Sequence, residues 1–143
     1  MMIIRAKLHH QKRTYRDIIV SPKTSLYDFA GYVVAAFGFD FDHCFGYFSS
    51  PDIYGQGKNS RHYELFYDIG EEIDELTESV KHSTVSELFK NQKDTWWMLF
   101  DYGDDWIFEL VYQKDVSISD RKKPTGSIVA SNGDAPEQYP DWE

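Results

Sequence analysis

The sequence predicts a single domain of β-strands with few helices, and three observations carry that reading. Ile4, Ala6 and Leu8 alternate with Arg5, Lys7 and His9, the period of a strand with one wet face. Leu26, Phe29, Ala30, Val33, Val34 and Phe37 fall on one helical face. Two runs dense in aromatic and branched residues, Trp96 to Phe100 and Trp106 to Tyr112, flank Asp101-Tyr102-Gly103-Asp104-Asp105 and read as a long hairpin. At 143 residues, 41% hydrophobic and 17% aromatic, the chain has enough apolar content for one core and is short for two domains.

The elements follow in order. After the first strand, His10 to Arg13 reads as a polar connection, and Tyr15 to Val20 as a second strand stopped at Ser21-Pro22. These two pair as an antiparallel hairpin. Ser25 with Asp28 three positions on has capping-box spacing, and Gly38 supplies the left-handed stop, so the helix lies between them. Cys44 to Phe48 reads as a strand and Ser49 to Arg61 as a flexible loop. Within that loop Gly55-Gln56-Gly57-Lys58-Asn59-Ser60 lacks the leading Gly, the Ser or Thr after Lys and the preceding strand of a phosphate cradle.

His62 to Tyr67 alternates weakly as a short strand. The acidic run Glu71 to Glu78 reads as a solvated loop or short helix. Thr84 with Glu87 opens a short helix through Val85, Leu88 and Phe89. In the aromatic hairpin, Gly103-Asp104 reads as a two-residue turn in which Gly takes the positive φ. That turn puts Trp97, Leu99 and Asp101 on one face with Trp106, Phe108 and Leu110. Both faces carry large apolar groups, so the hairpin belongs at the centre of the sheet. From Lys114 to residue 143 the chain reads as loop-rich, with Ile128-Val129-Ala130 as a last short strand and the stretches Gly133 to Glu137 and Tyr139 to Glu143 irregular.

Charge and composition exclude several function classes. The net charge is −9, from 24 acidic and 15 basic residues, which opposes general binding to a phosphate backbone. Arg121-Lys122-Lys123 is the one basic run and reads as a solvated loop. No stretch reaches the roughly 18 apolar residues of a membrane span, and charges at Arg5 and Lys7 interrupt any leader-like apolar run. Cys44 is the single cysteine, so no intrachain disulfide forms, which fits a reducing cytoplasm; it reads as a small buried hydrophobe.

The order of these signals resembles the plasmid pRiA4b third-ORF-like family, also labelled transposon-passenger TnpR-type proteins. The resemblance rests on Tyr15-Arg16-Asp17-Ile18-Ile19-Val20, Ser25-Leu26-Tyr27-Asp28-Phe29, Ala36-Phe37-Gly38-Phe39 with His43, and Val85-Ser86-Glu87-Leu88-Phe89. Its most distinctive part is Asp101-Tyr102-Gly103-Asp104-Asp105-Trp106; Pro124 and Gly133-Asp134-Ala135-Pro136-Glu137 match more weakly. It implies an α+β domain in which a β-grasp-like hairpin, helix and strand are joined to a short helix and the aromatic hairpin in one mixed or antiparallel sheet. The chain departs from the family pattern at Ile107-Phe108, where relatives carry Glu-His, and at Gln138-Tyr139-Pro140, where they continue acidic and Gly-Gly. Those departures count against an enzyme.

Candidate site residues follow from chemistry. Asp101, Asp104 and Asp105, completed by His43 and Glu137, have the hard oxygen donors a divalent metal takes. The same aspartates also suit a structural turn, accepting its backbone N–H groups. His9, His10, His62 and His82 have no metal-pair spacing, and HExxH, paired CxxC and GxSxG motifs are absent. Tyr47, Tyr54, Tyr63 and Tyr67, with Phe48 and Phe66, are too many aromatics to bury, so the tyrosines are a candidate interaction surface. Two functions stand open. One is a small cytoplasmic, mobile-element-associated module that binds a protein or peptide partner, basic to suit the charge. The alternative is a divalent-metal-dependent hydrolase or phosphoryl-transfer enzyme centred on the hairpin aspartates.

Overall fold

The computed structural model of the protein describes residues 1–71, 74–117 and 123–139. The readings placed on Arg121-Lys122, on Glu72-Ile73 and on residues 140–143 lie outside them. Eight strands form one sheet: β1 (Met2–Leu8), β2 (Gln11–Val20), β3 (Phe45–Phe48), β4 (His62–Glu64), β5 (Thr77–Glu78), β6 (Thr95–Phe100), β7 (Trp106–Asp115) and β8 (Ile128–Asn132). Their spatial order is β5-β4-β3-β6-β7-β1-β2-β8. Every pair is antiparallel except β4 with β5. The fold is α+β with few helices, and the aromatic hairpin β6–β7 occupies the two central positions, as its two apolar faces require.

The principal helix α1 (Leu26–Ala36) begins where the Ser25 hydroxyl accepts from the Asp28 N–H at 3.0 Å and ends before Gly38 at φ 75°. It buries Leu26, Phe29, Ala30, Val33 and Val34 against Ile4, Ile18, Tyr47, Met98 and Phe108 in the main core. The short α3 (Val85–Leu88) carries the reciprocal Thr84–Glu87 capping box. Among the described residues no helix is long and apolar enough to cross a membrane.

Several sequence expectations are corrected. β2 starts at Gln11, because Leu8 pairs directly with Gln11 and leaves only His9-His10 as the turn. The loop after β3 contains a π-helical turn, Ile53–Gly57, closed by the Asp52 carboxylate on the Gln56 N–H. β4 stops at Glu64, and Leu65–Asp68 turns into a helix, α2. The acidic run ends in β5, which pairs parallel with β4 as His62↔Thr77 and Tyr63↔Glu78. Cys44 is half-buried rather than buried. Among the described residues after Lys114, β7 ends at Asp115, the expected last strand is present as β8, and Ala135 packs on the core.

The largest correction is the hairpin loop. Phe100 pairs with Trp106, so the loop is Asp101–Asp105, and positive φ falls on Asp101 (67°) and Asp105 (52°) rather than on Gly103. That changes the register by one residue and exchanges the faces of β6. Trp96, Met98 and Phe100 join Trp106, Phe108 and Leu110 beneath α1, while Leu99 joins Phe48 and Ile53 on the opposite face.

A Gly103→Ala variant tests this loop. Its Cβ would meet nothing nearer than the Asp101 carboxylate at 3.4 Å, and its φ is not positive. The expected outcome by chemical denaturation is neutral to stabilising by up to about 1 kcal/mol. Asp101→Ala, which strips two backbone N–H groups of their acceptor, should destabilise by roughly 1–3 kcal/mol.

Candidate functional site

The Asp101–Asp105 loop projects from the centre of the sheet and is fastened on three sides. Asp101 is buried, and its Oδ1 accepts from the N–H of Gly103 at 3.1 Å and of Asp104 at 3.2 Å. These bonds hold a non-glycine residue in the left-handed region, which aspartate tolerates through such local contacts. Its N–H donates to the Cys44 carbonyl at 2.9 Å, tying the loop to the entrance of β3. Asp105 Oδ1 accepts from the Tyr54 hydroxyl at 2.8 Å, tying it to the π-turn. Burial, followed by that bond, pushes the Tyr54 phenol up to about 12.

The third tie is Tyr102, which reaches beneath the sheet to a buried carboxylate. Glu64 Oε1 accepts from the Tyr102 hydroxyl at 2.6 Å and from Lys58 Nζ at 2.8 Å, while Oε2 faces His62 Nε2 at 3.2 Å. The Glu64 side chain is 4% exposed and that of His62 0%. Burial favours the neutral acid, but the bonds from His62, Lys58 and Tyr102 outweigh it and pull Glu64 down to about 2. Burial and the Glu64 charge raise the Tyr102 phenol far above its ordinary value. His62 stacks on Phe48 at 5.4 Å between ring centroids. Gly46 pairs with Glu64, and a Cβ there would come within 2.8 Å of Glu64 Cγ, so only glycine leaves room for the carboxylate.

The predicted metal residues divide. His43 Nε2 lies 3.4 Å from Asp101 Oδ2, but it also meets the Tyr139 hydroxyl at 2.6 Å, which donates to Asp42 Oδ2 at 2.8 Å. Asp104 and Glu137 are exposed. The residues from the C-terminal segment that reach His43's neighbourhood are Tyr139 and Gln138, whose Nε2 donates to the Asp40 carbonyl at 3.1 Å and to Asp42 Oδ1 at 3.2 Å. Among the described residues, no group of three or more His, Cys, Asp or Glu side chains is placed to hold a metal ion.

The predicted interaction tyrosines also divide. Tyr47 is fully buried, with its hydroxyl donating to the Leu26 carbonyl at 2.7 Å, and Tyr63 is buried against Trp96. Both face α1, because alternate residues of β3 and β4 point into the core. Tyr54 and Tyr67 remain exposed. Tyr67 and Ile69, 46% and 52% exposed, lie in and just after α2, and Leu76, 39% exposed, directly precedes edge strand β5. Sequence reasoning missed Lys58, His62, Glu64 and Tyr102 as a unit; the alternation His62-Tyr63-Glu64 was the available signal, and it reads as a wet face.

A family model described as plasmid pRiA4b ORF-3-like protein matches residues 1–139. The chain belongs to that family. No curated protein matches it. Among solved structures it is similar to the crystal structure of a protein of unknown function, MM3350, from Methanosarcina mazei Go1. The TM-score is 0.68 at 15% identity, over 96% of this chain and 71% of that one, a likeness of fold.

Two outcomes test the network. Tyr102→Phe should lower stability by roughly 1–3 kcal/mol in urea unfolding, because it removes a donor from a buried charge. Glu64 is held below its ordinary value of 4.5, so its contribution is complete above that pH and is lost as pH falls toward about 2. Unfolding midpoints measured across that acid range should fall steeply in wild type and more shallowly in Glu64→Gln.

Proposed function

We propose that this member of the plasmid pRiA4b ORF-3-like family is a protein interaction module that takes an extended, basic segment of a partner protein along the β5 edge of its sheet. The observation that carries the reading is the coincidence of an open edge, exposed apolar groups and a predominance of acidic charge, with Arg61 paired to Glu78 of β5 itself. β5 ends the sheet, and its outer backbone groups meet no further strand among the described residues. Tyr67, Ile69 and Leu76 offer apolar contacts beside it. Residues 68–78 contain six Asp or Glu and no Lys or Arg.

An added strand supplies main-chain hydrogen bonds, and alternate side chains supply specificity. Basic groups on that strand complement the carboxylates and speed its arrival. The opposite edge is less suited, because Lys123 Nζ donates to the Ile128 carbonyl of β8 at 3.2 Å, a guard of the kind that keeps edges from pairing. The half-buried single thiol, Cys44, suits a reducing cytoplasmic setting.

Titration of isotope-labelled protein with a synthetic peptide of alternating Lys and Val checks this. The expected result is saturable shifts confined to residues 61–78, weakened by salt and lost in Glu71→Lys/Glu75→Lys. Equal response to an alternating Glu and Val peptide, or no response at those residues, contradicts it.

A further inference from the structure

His62 is surrounded by hydrogen-bond acceptors. Its Nδ1 lies 2.7 Å from the Ser60 carbonyl, which accepts only. Its Nε2 lies 3.2 Å from Glu64 Oε2, and Glu64 is an ionised carboxylate that already takes Lys58 and Tyr102 on its other oxygen. Nε2 is also 3.0 Å from Thr77 Oγ1, whose own proton goes to Asp74 Oδ1 at 2.9 Å. A neutral imidazole carries one N–H and one lone pair, so one nitrogen would face acceptors with nothing to donate.

We propose that His62 is held as the imidazolium, protonated on both nitrogens, and that this buried charge latches edge strand β5 to the sheet, so that losing the second proton releases the edge. This rests on the reading of β5 as a binding edge and adds its regulation.

The latch acts through Thr77. With both nitrogens protonated, Thr77 accepts from His62 and donates to Asp74, and Asp74 Oδ1 also accepts the Leu76 N–H at 3.0 Å, which fixes the turn into β5. After deprotonation at Nε2, the Thr77 hydroxyl turns to that lone pair and leaves Asp74. Glu64 Oε2 is then opposed to a lone pair instead of a donor.

The charged groups facing His62 are Glu64 on its own strand, Asp74 from the turn before β5, 3.9 Å from Nε2, and Lys58 and Tyr102 through Glu64; β3 contributes only the Phe48 ring. Burial opposes the charge on His62, but the Glu64 and Ser60 hydrogen bonds and the charges of Glu64 and Asp74 raise its pKa above 6.5. The stabilisation is therefore complete below that ordinary value and is lost as pH rises through the raised one.

The test is imidazole nitrogen NMR with amide exchange of the full chain from about pH 5.5 to 9.5, spanning the histidine range. The expected result is a charged His62 at neutral pH that titrates later than an ordinary histidine. The Thr77 and Glu78 amides should lose about tenfold protection, beyond intrinsic exchange, over the same range, a change of about 1.4 kcal/mol. Asp74→Asn, at an exposed position, should lower the His62 titration with the fold intact. A neutral His62 at pH 6, or β5 protection indifferent to its titration, overturns the latch. The alternating Lys and Val peptide separates the two readings. Binding at the edge that ignores His62's titration removes the latch alone; coupled titration without peptide binding supports the latch and removes the edge reading.

Discussion

Glu64 is a carboxylate with almost no access to water, and its three donors come from three separate positions in the chain. Lys58 follows the π-turn, Tyr102 stands in the central hairpin loop, and His62 precedes it by one step on the same face of β4. An ionised group in such a place is tolerated only when its lone pairs are satisfied. The surrounding architecture follows from that requirement. Gly46 is bare so that the carboxylate has room, and the loop after β3 folds back so that Lys58 reaches it. The hairpin loop spans five residues so that Tyr102 points beneath the sheet while Asp101 points to the other side.

How much of this is legible in the sequence depends on the range of the interaction. The α1 helix is legible because its cap, its apolar stripe and its stop all lie within fourteen residues, Ser25 to Gly38. The strands of the central hairpin are legible from their composition. Their register is not, because Tyr102-Gly103-Asp104-Asp105 suits a two-residue turn as well as a five-residue loop. The choice is made by contacts to Cys44, Tyr54 and Glu64, between 38 and 57 positions away in the chain. The roles of His62 and Glu64 are hidden for a related reason: a polar i, i+2 pair on a strand signals water, and here the π-turn and Tyr102 take water's place. Tyr139 and Gln138 reach the His43 region from across the whole chain, with no local pattern to announce it.

The acidic groups of the two regions are occupied differently. The hairpin aspartates, which invite a metal reading, serve the loop: Asp101 holds its backbone and Asp105 holds Tyr54, with Asp104 left in water. In the segment leading into and through β5, Asp68, Asp74 and Glu78 are likewise engaged, by Ser79 and Val80, by Leu76 and Thr77, and by Arg61, while Glu71 and Glu75 are exposed. The buried network connects these regions, since Glu64 joins the hairpin loop to β4 and His62 joins β4 to β5. His62 is thus one of several ties between β4 and β5, beside the backbone ladder, the Arg61–Glu78 pair and the Asp68 bonds to Ser79 and Val80.

The central claim is that Lys58 and Tyr102 act together through one buried carboxylate. A double-mutant cycle of Lys58→Met and Tyr102→Phe, read by equilibrium unfolding, tests it most directly. The account predicts a coupling of about 0.5–3 kcal/mol between the two substitutions. Effects that add to within about 0.3 kcal/mol would contradict it and would separate the hairpin loop from the edge it is said to support.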